Sequence, residues 1–393
     1  MCSGEASLAK RSPEFLIYFL IVASCMALWG CGTSSRFCGL ACGSSTQQNP
    51  FLYATTTSNQ ILGFSVASTG TLTSIASSVG PANSRSTVGV YGALLFADSL
   101  SNDVVVESIT METGALTPVA GSPFTLGFAS GGPNSIIIGP GQNLYASEPN
   151  GTIVGYTNPG TAIMTVLPGS PYAAGIAPTQ MAVALLASSS SPAASLYASD
   201  SGDPNGGILA FAVASDGSLS PIAGSPFATT PKAGPSYLLN TSNSAGNQFL
   251  FVSLSNAGQI AGFSIDNATG ALTPIPGSPF TAGKGPGTLI NGIANELLVI
   301  NAGDHTVEAF SIAANGMLTP IGSPAAVGTA TGGIALHLEE TQASSPLYAA
   351  DTAASSIDIV NIDNNSGAIS ASGTVPASNP PLQLAIYDQF PLP

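Results

Sequence analysis

Cations are nearly missing from this sequence: 6 Lys and Arg stand against 20 Asp and Glu in 393 residues, a formal net charge of −14. A nucleic-acid surface needs clustered Lys and Arg, so DNA and RNA are excluded as ligands. Cysteine stops at position 42, with Cys2, Cys25, Cys31, Cys38 and Cys42 as the whole supply. Everything beyond is therefore without disulfides or thiol chemistry. The lone Trp is Trp29 and the histidines are His305 and His337. There is no His-Glu-x-x-His, which excludes a zincin, and no Gly-x-Ser-x-Gly, the nucleophile elbow of many serine hydrolases. After residue 30 long apolar runs are also absent. Met181 to Ala187 is representative, against the roughly 20 residues that a membrane-spanning helix needs.

What is present is turn-forming and apolar: 45 Gly, 30 Pro and 44% hydrophobic residues, with a mean hydropathy of +0.37. Disordered chains combine high charge with low hydropathy, and this balance is the reverse. The composition is that of a soluble, turn-rich globular chain.

Residues 1–30 read as an export signal, with Lys10 and Arg11 ahead of an apolar stretch from Phe15 to Leu28. It leads into Leu28-Trp29-Gly30-Cys31 and a polar Gly32-Thr33-Ser34-Ser35. This resembles a bacterial lipobox, in which the Cys carries the lipid, although Trp29 stands where a small residue is usual. Val22-Ala23-Ser24-Cys25 fits the box better locally but strands an apolar Met26 to Trp29 behind the anchor, so Cys31 is preferred. A plain cleaved signal is the alternative. Residues 31–49 form a Gly/Ser/Thr-rich tether, where Cys38 and Cys42 could pair in an oxidising compartment or stay unused.

Residues 50–393 are organised by a repeat. Gly-Ser-Pro recurs at 121, 169, 224, 277 and 322, and Phe124, Tyr172, Phe227 and Phe280 follow four of the five. Upstream of four of them lies a turn and a short strand, as in Thr113-Gly114-Ala115-Leu116-Thr117-Pro118 and Thr269-Gly270-Ala271-Leu272-Thr273-Pro274. Seven units are counted by their glycines at 70, 114, 160, 217, 270, 316 and 367. Each reads as four strands: an apolar inner strand, a Tyr- or Phe-bearing strand, an alternating strand such as Ile260-Ala-Gly-Phe-Ser-Ile, and a Leu-Thr-Pro edge. Proline is tolerated at an edge, where one donor can be forgone. Four-stranded units of this length predict a β-propeller. The chain enters at a second strand (Phe51), and Leu382-Gln-Leu-Ala-Ile-Tyr387 is a lone apolar strand near the C-terminus. That strand would complete the first unit and hide two open edges. The expectation is all-β, a seven-bladed propeller closed by the C-terminal strand.

The Tyr-Ala/Val, Phe-Ser-Ile/Val, Gly-x-Leu-Thr-Pro and Gly-Ser-Pro-Phe pattern resembles the bacterial lactonase-like seven-bladed propellers. That group includes the propeller-type 6-phosphogluconolactonases and the fungal carboxy-muconate cyclases. The likeness covers about residues 50 to 390 and implies the fold, with lactone hydrolysis as the associated chemistry. No catalytic residue of the family maps here position by position.

In a propeller, the loops before inner strands and the turns between second and third strands share one face. The cations beyond the tether, Arg85, Lys232 and Lys284, all fall in loops before inner strands, and His305 falls in a second-to-third-strand turn. Asp98, Asp103, Glu148, Asp200, Asp203, Asp304 and Asp351 belong to the same face. Arg85, Lys232 and Lys284 could hold a carboxylate or phosphate, with Glu148 and Asp304 beside them in the ligand site and His305 or a carboxylate as general base for water attack on a lactone. Equally, polar residues collect in loops whatever the function. Asp200-Ser-Gly-Asp203-Pro-Asn205 suggests a calcium loop without the EF-hand spacing, and a long hairpin turn explains it as well. His337 ends an inner strand and should line the channel near the opposite mouth.

Two functions follow. One is an exported, lipid-anchored propeller acting as a binding or scaffold module at the cell surface or in the periplasm. The other is a lactone hydrolase resembling 6-phosphogluconolactonase and working through the loop face. The expected partners are the membrane, through Cys31, and a small anionic ligand or a protein on the loop face. No cofactor is expected.

Overall fold

Six of the recurring turn glycines, Gly70, Gly114, Gly217, Gly270, Gly316 and Gly367, adopt φ between +67° and +85°. This is the left-handed region that glycine enters at little cost. At Gly114 a side chain is barred a second time, because a Cβ would run into the Phe51 ring of the neighbouring blade. The computed structural model describes residues 50–58, 60–78, 88–98, 103–125, 132–157, 164–186, 194–243, 245–293, 295–328, 333–337 and 342–387. Among these the regular structure is all β, apart from one 3-10 turn at Pro140–Gln142.

The strands form seven antiparallel sheets, the expected seven blades. Blade 1 unites the two ends of the propeller: Pro381–Tyr387 is its inner strand, beside Phe51–Thr56, Ile61–Val66 and Leu72–Ser78. Phe51 stands opposite Tyr387 and Tyr53 opposite Ala385 in that pair. Blades 2 to 7 begin with the inner strands Val88–Tyr91, Ser135–Ile138, Pro178–Leu185, Pro235–Ser242, Pro286–Asn291 and Ile334–Leu336. Each inner strand packs beside the next, and the ring closes from Ile334–Leu336 back to Pro381–Tyr387.

The outer strand is more finely divided than the repeat suggests. In blade 5, Leu272–Pro274 and Phe280–Thr281 both pair with the third strand, Gln259–Ile265. Blades 2, 4 and 6 are built the same way. The break is the Gly-Ser-Pro corner, and its serine replaces the missing strand as a hydrogen-bond partner. Val106, Gly155, Ala210 and Gly262 donate their amides to the Oγ of Ser122, Ser170, Ser225 and Ser278 at 3.0, 3.0, 2.9 and 2.8 Å. The Ser-Pro bond is cis in these four corners.

Second strands are buried on both faces: every residue of Phe51–Thr56, Ala194–Asp200 and Gln248–Leu254 is buried. Each face of a blade packs on a neighbour, so these strands read as continuous apolar runs and not as alternation. The clusters accordingly straddle blades, as where Tyr197 and Ile208 of blade 4 meet Leu250 and Phe263 of blade 5.

The second-strand tyrosines add a directional tie. Tyr53, Tyr145, Tyr197 and Tyr348 are fully buried. Their hydroxyls donate to the carbonyls of Gly114, Gly217, Gly270 and Gly70 at 2.7, 2.7, 2.7 and 2.8 Å. Each acceptor is the turn glycine of the next blade, and the last bond crosses the seam from blade 7 to blade 1.

Candidate functional site

Inner strands start beside the ends of second strands, with Pro178 opposite Asp200, Pro235 opposite Leu254 and Pro286 opposite Asn301. Loops that enter inner strands and turns that leave second strands therefore share one face. Lys232, Lys284, Asp304 and His305 all lie on it. Arg85 falls outside the described residues, as do Cys25 and Cys31.

Lys284 meets Asp304 at the corner of blade 6. Its Nζ is 3.7 Å from Asp304 Oδ1, with the lysine side chain 84% exposed. A pair so exposed contributes little to stability. Asp304 also accepts the Lys284 amide at 2.7 Å, so the carboxylate shapes this loop. Lys232 is exposed in the adjacent blade's loop at φ +60°, and its carbonyl takes the Asn256 side-chain amide at 3.3 Å.

His305 is exposed at φ +55°. The same turn position is held by Gly151, Gly206, Gly258 and Ser355, all at positive φ. All five carbonyls accept an amide from the stretch after the outer strand: Ala174, Thr229, Ala282, Val327 and Ala377 are the donors. Histidine is among the residues that tolerate this conformation, so the turn accounts for the backbone of His305.

The acids of this face are largely committed to backbone. Asp200 is 3% exposed and accepts the amides of Ile176, Ala177 and Gly202 at 2.8, 2.8 and 3.1 Å. Asp203 accepts the amide of Asn205 at 2.9 Å. The Asp200–Asn205 loop is thus a self-capped turn, and among the described residues no three His, Cys, Asp or Glu are grouped to hold a metal. Glu148 is buried and accepts the hydroxyl of Thr152 across its own hairpin. It lies in blade 3, three blades from Lys284.

Two acids come close together in blade 7. Asp351 and Asp358 are 3% and 5% exposed. A Cβ on Gly328 would collide with Asp351 Oδ2 and lie 3.2 Å from Asp358 Oδ2. Burial, with the charge of Asp351 in addition, raises the pKa of Asp358, against the lowering effect of the Gly328 amide. Blade 6 carries Asn301 and Glu308 at the equivalent positions, where the amide donates to the carboxylate at 3.1 Å. One face of the ring thus holds the same corner in a neutral–acid and an acid–acid form. His337 is 2% exposed, and its amide donates to Pro346 O; it is packed at the end of its strand and does not line an open channel.

A belt of hydroxyls joins the starts of the inner strands. Ser147 donates to Thr179 O at 2.7 Å, Ser199 to Ser236 O at 3.2 Å, and Ser236 shares a bond with Ser253 at 2.9 Å. Their source is the Ser of Tyr-Ala-Ser and Phe-Val-Ser in the second strands, which the repeat pattern shows without showing its partner in the next blade. Below this belt lies an open cavity of about 560 Å³ lined by the inner strands of blades 2 to 6. Its walls include Ile137, Val183, Leu239 and Ile290. Tyr91 and Leu185, at the far ends of their inner strands, put its mouth on the face opposite Lys284.

No family model matches this chain, and no curated protein matches it. Solved structures do. The periplasmic gluconolactonase of Pseudomonas aeruginosa superposes with a TM-score of 0.68 at 17% identity, covering 86% of this chain and 99% of that one. A candidate 6-phosphogluconolactonase of Bacteroides fragilis gives 0.66 at 18%, covering 88% and 100%. A protein of unknown function from Desulfotomaculum acetoxidans gives 0.62 at 15%, covering 86% and 99%. The chain has the lactonase-like seven-bladed propeller fold. At these identities the likeness is one of fold, and the chemistry of this chain's face has to be read from its own residues.

Proposed function

We propose that this propeller is an exported binding or scaffold module, tethered through a lipid on Cys31, that engages its partner with the loop face. The observation that carries this reading is the commitment of four of the face's acids. Asp200, Asp203 and Asp304 hold backbone amides, and Glu148 holds Thr152. A general base needs a lone pair free to meet a water and a substrate. His305 is exposed beside Lys284 and Asp304, so the second reading is a lactone hydrolase with His305 as base and Lys284 as anion holder. Its support is the fold shared with a gluconolactonase.

The two readings divide on a pH-stat assay of the purified protein over a panel of lactones. Binding alone gives consumption of base at the buffer rate for wild type, Lys284→Ala and His305→Gly alike. Turnover by wild type that falls at least tenfold in either variant would establish the hydrolase and its site. The tether is tested separately by fractionating producing cells: Cys31→Ala is expected to move the protein from the membrane to the soluble fraction. An unchanged membrane fraction would reject the lipid on that residue.

A further inference from the structure

The central cavity has a chemistry unlike that of the loop face. Its walls carry Ile137, Val183, Leu239 and Ile290, and among the described residues none that lines it is an acid, a base or a histidine. Three residues with polar side chains line it: Tyr91 at the mouth, and Tyr237 and Asn240 on the inner strand of blade 5. The Tyr237 backbone is bonded, its amide donating to Ser253 Oγ at 2.9 Å. Its hydroxyl makes no hydrogen bond to any described residue, and neither does the Asn240 side-chain amide. This contrasts with the four tyrosines of the second strands, each of which reaches a glycine carbonyl.

This hydroxyl is not one of the buried unpartnered atoms, so it is open to the cavity and available to a guest. Around it lies apolar wall, and at the mouth Leu185 and Tyr91 are 67% and 45% exposed. Ligand pockets of small molecules are of this kind, apolar with a few fixed polar groups, and about 300–1,000 Å³ in volume. The net charge of −14 disfavours an anion, and the described lining offers no carboxylate to a cation.

We propose that the channel mouth opposite the loop face binds one small uncharged molecule. It has an aromatic or aliphatic body and one polar group that meets the Tyr237 hydroxyl. Val183 and Leu239 flank the body; Leu185 covers it at the entrance. This site is separate from the loop face and does not depend on whether that face binds or hydrolyses.

The test uses the purified protein and N-phenyl-1-naphthylamine, an uncharged fluorophore with one N–H group. Titration should give blue-shifted emission that saturates at one probe per chain. Tyr237→Phe should weaken binding about fivefold, the worth of one neutral hydrogen bond of about 1 kcal/mol. Val183→Trp, which fills the cavity, should abolish saturation. Leu185→Gln, a change at an exposed position, should weaken binding without touching the fold, so the result does not hang on the core variant. Lys284→Ala should bind as wild type. Absence of saturable emission in wild type, or binding that survives in both Val183→Trp and Leu185→Gln, would overturn the proposal.

Discussion

Replacing Glu107 by phenylalanine should stabilise the protein at pH 8 by about 3 kcal/mol and by much less at pH 5. Glu107 lies in the third strand of blade 2, Asp103–Ile109, opposite Leu95. The residues opposite the equivalent leucines, Leu52, Leu144, Leu196, Leu250 and Leu297, are Phe64, Tyr156, Phe211, Phe263 and Phe310. An acid has thus taken a place that five other blades give to an aromatic ring. It is 1% exposed, its Oε2 has no hydrogen-bond partner, and burial raises its pKa from 4.5 to about 7. The sign follows from linkage. A carboxyl whose folded pKa lies above its unfolded value is tolerated while protonated, below the unfolded value. Stability is then lost as pH rises toward 7, after which the loss is complete. Urea unfolding of wild type and Glu107→Phe at pH 5 and pH 8 measures the difference. The gap should widen by about 2 kcal/mol between the two pH values, and Glu107→Gln should flatten the slope with a smaller gain. A gap that does not change with pH would show that the carboxyl titrates in the fold as it does in the unfolded chain, and that burial imposes no shift.

Tyr197→Phe should lower stability by about 1–2 kcal/mol with no change in the urea m-value. The ring stays, so packing against Ile208 and Leu250 is retained. What goes is the bond to Gly270 O at 2.7 Å, which leaves a buried carbonyl without its donor. Desolvation raises the pKa of this hydroxyl well above its ordinary value, so the bond is uniform through the neutral range and its loss should show no pH dependence. That separates this variant from Glu107→Phe in the same experiment. A drop below about 0.3 kcal/mol would show that the carbonyl finds another donor.

The fold was legible because its grammar is local. Gly-x-Leu-Thr-Pro and Gly-Ser-Pro specify turns and edges from neighbouring residues alone, and their recurrence counts the blades. What escaped is what pairs at a distance along the chain. The serine of Gly-Ser-Pro looks like part of a turn, yet Ser225 serves the amide of Ala210, 15 residues earlier. Tyr53 looks like core, yet its hydroxyl holds a turn 61 residues away. Strand pairing brings Lys232, Lys284, Asp304 and His305 to one face, but what their polar atoms are bonded to is not legible in the sequence. Asp200 reads as a free carboxylate until Ile176 and Ala177 are folded over it. Glu107, following three valines, carries no mark in its own segment of a position that elsewhere belongs to an aromatic.

The seam of blade 1 also sets how the ring bears load. Phe51 and Tyr387 stand opposite one another, so the chain enters and leaves the propeller at the same end of one antiparallel pair. A force pulling those two ends apart acts across the pair and not along it. The bonds between Phe51–Thr56 and Pro381–Tyr387 then break one after another, the weak direction for a β-sheet. At the point where such a tear would start, the rings of Phe51 and Tyr387 lie stacked at 6.4 Å and 8°. The mechanical clasp of the ring is two aromatic side chains wide.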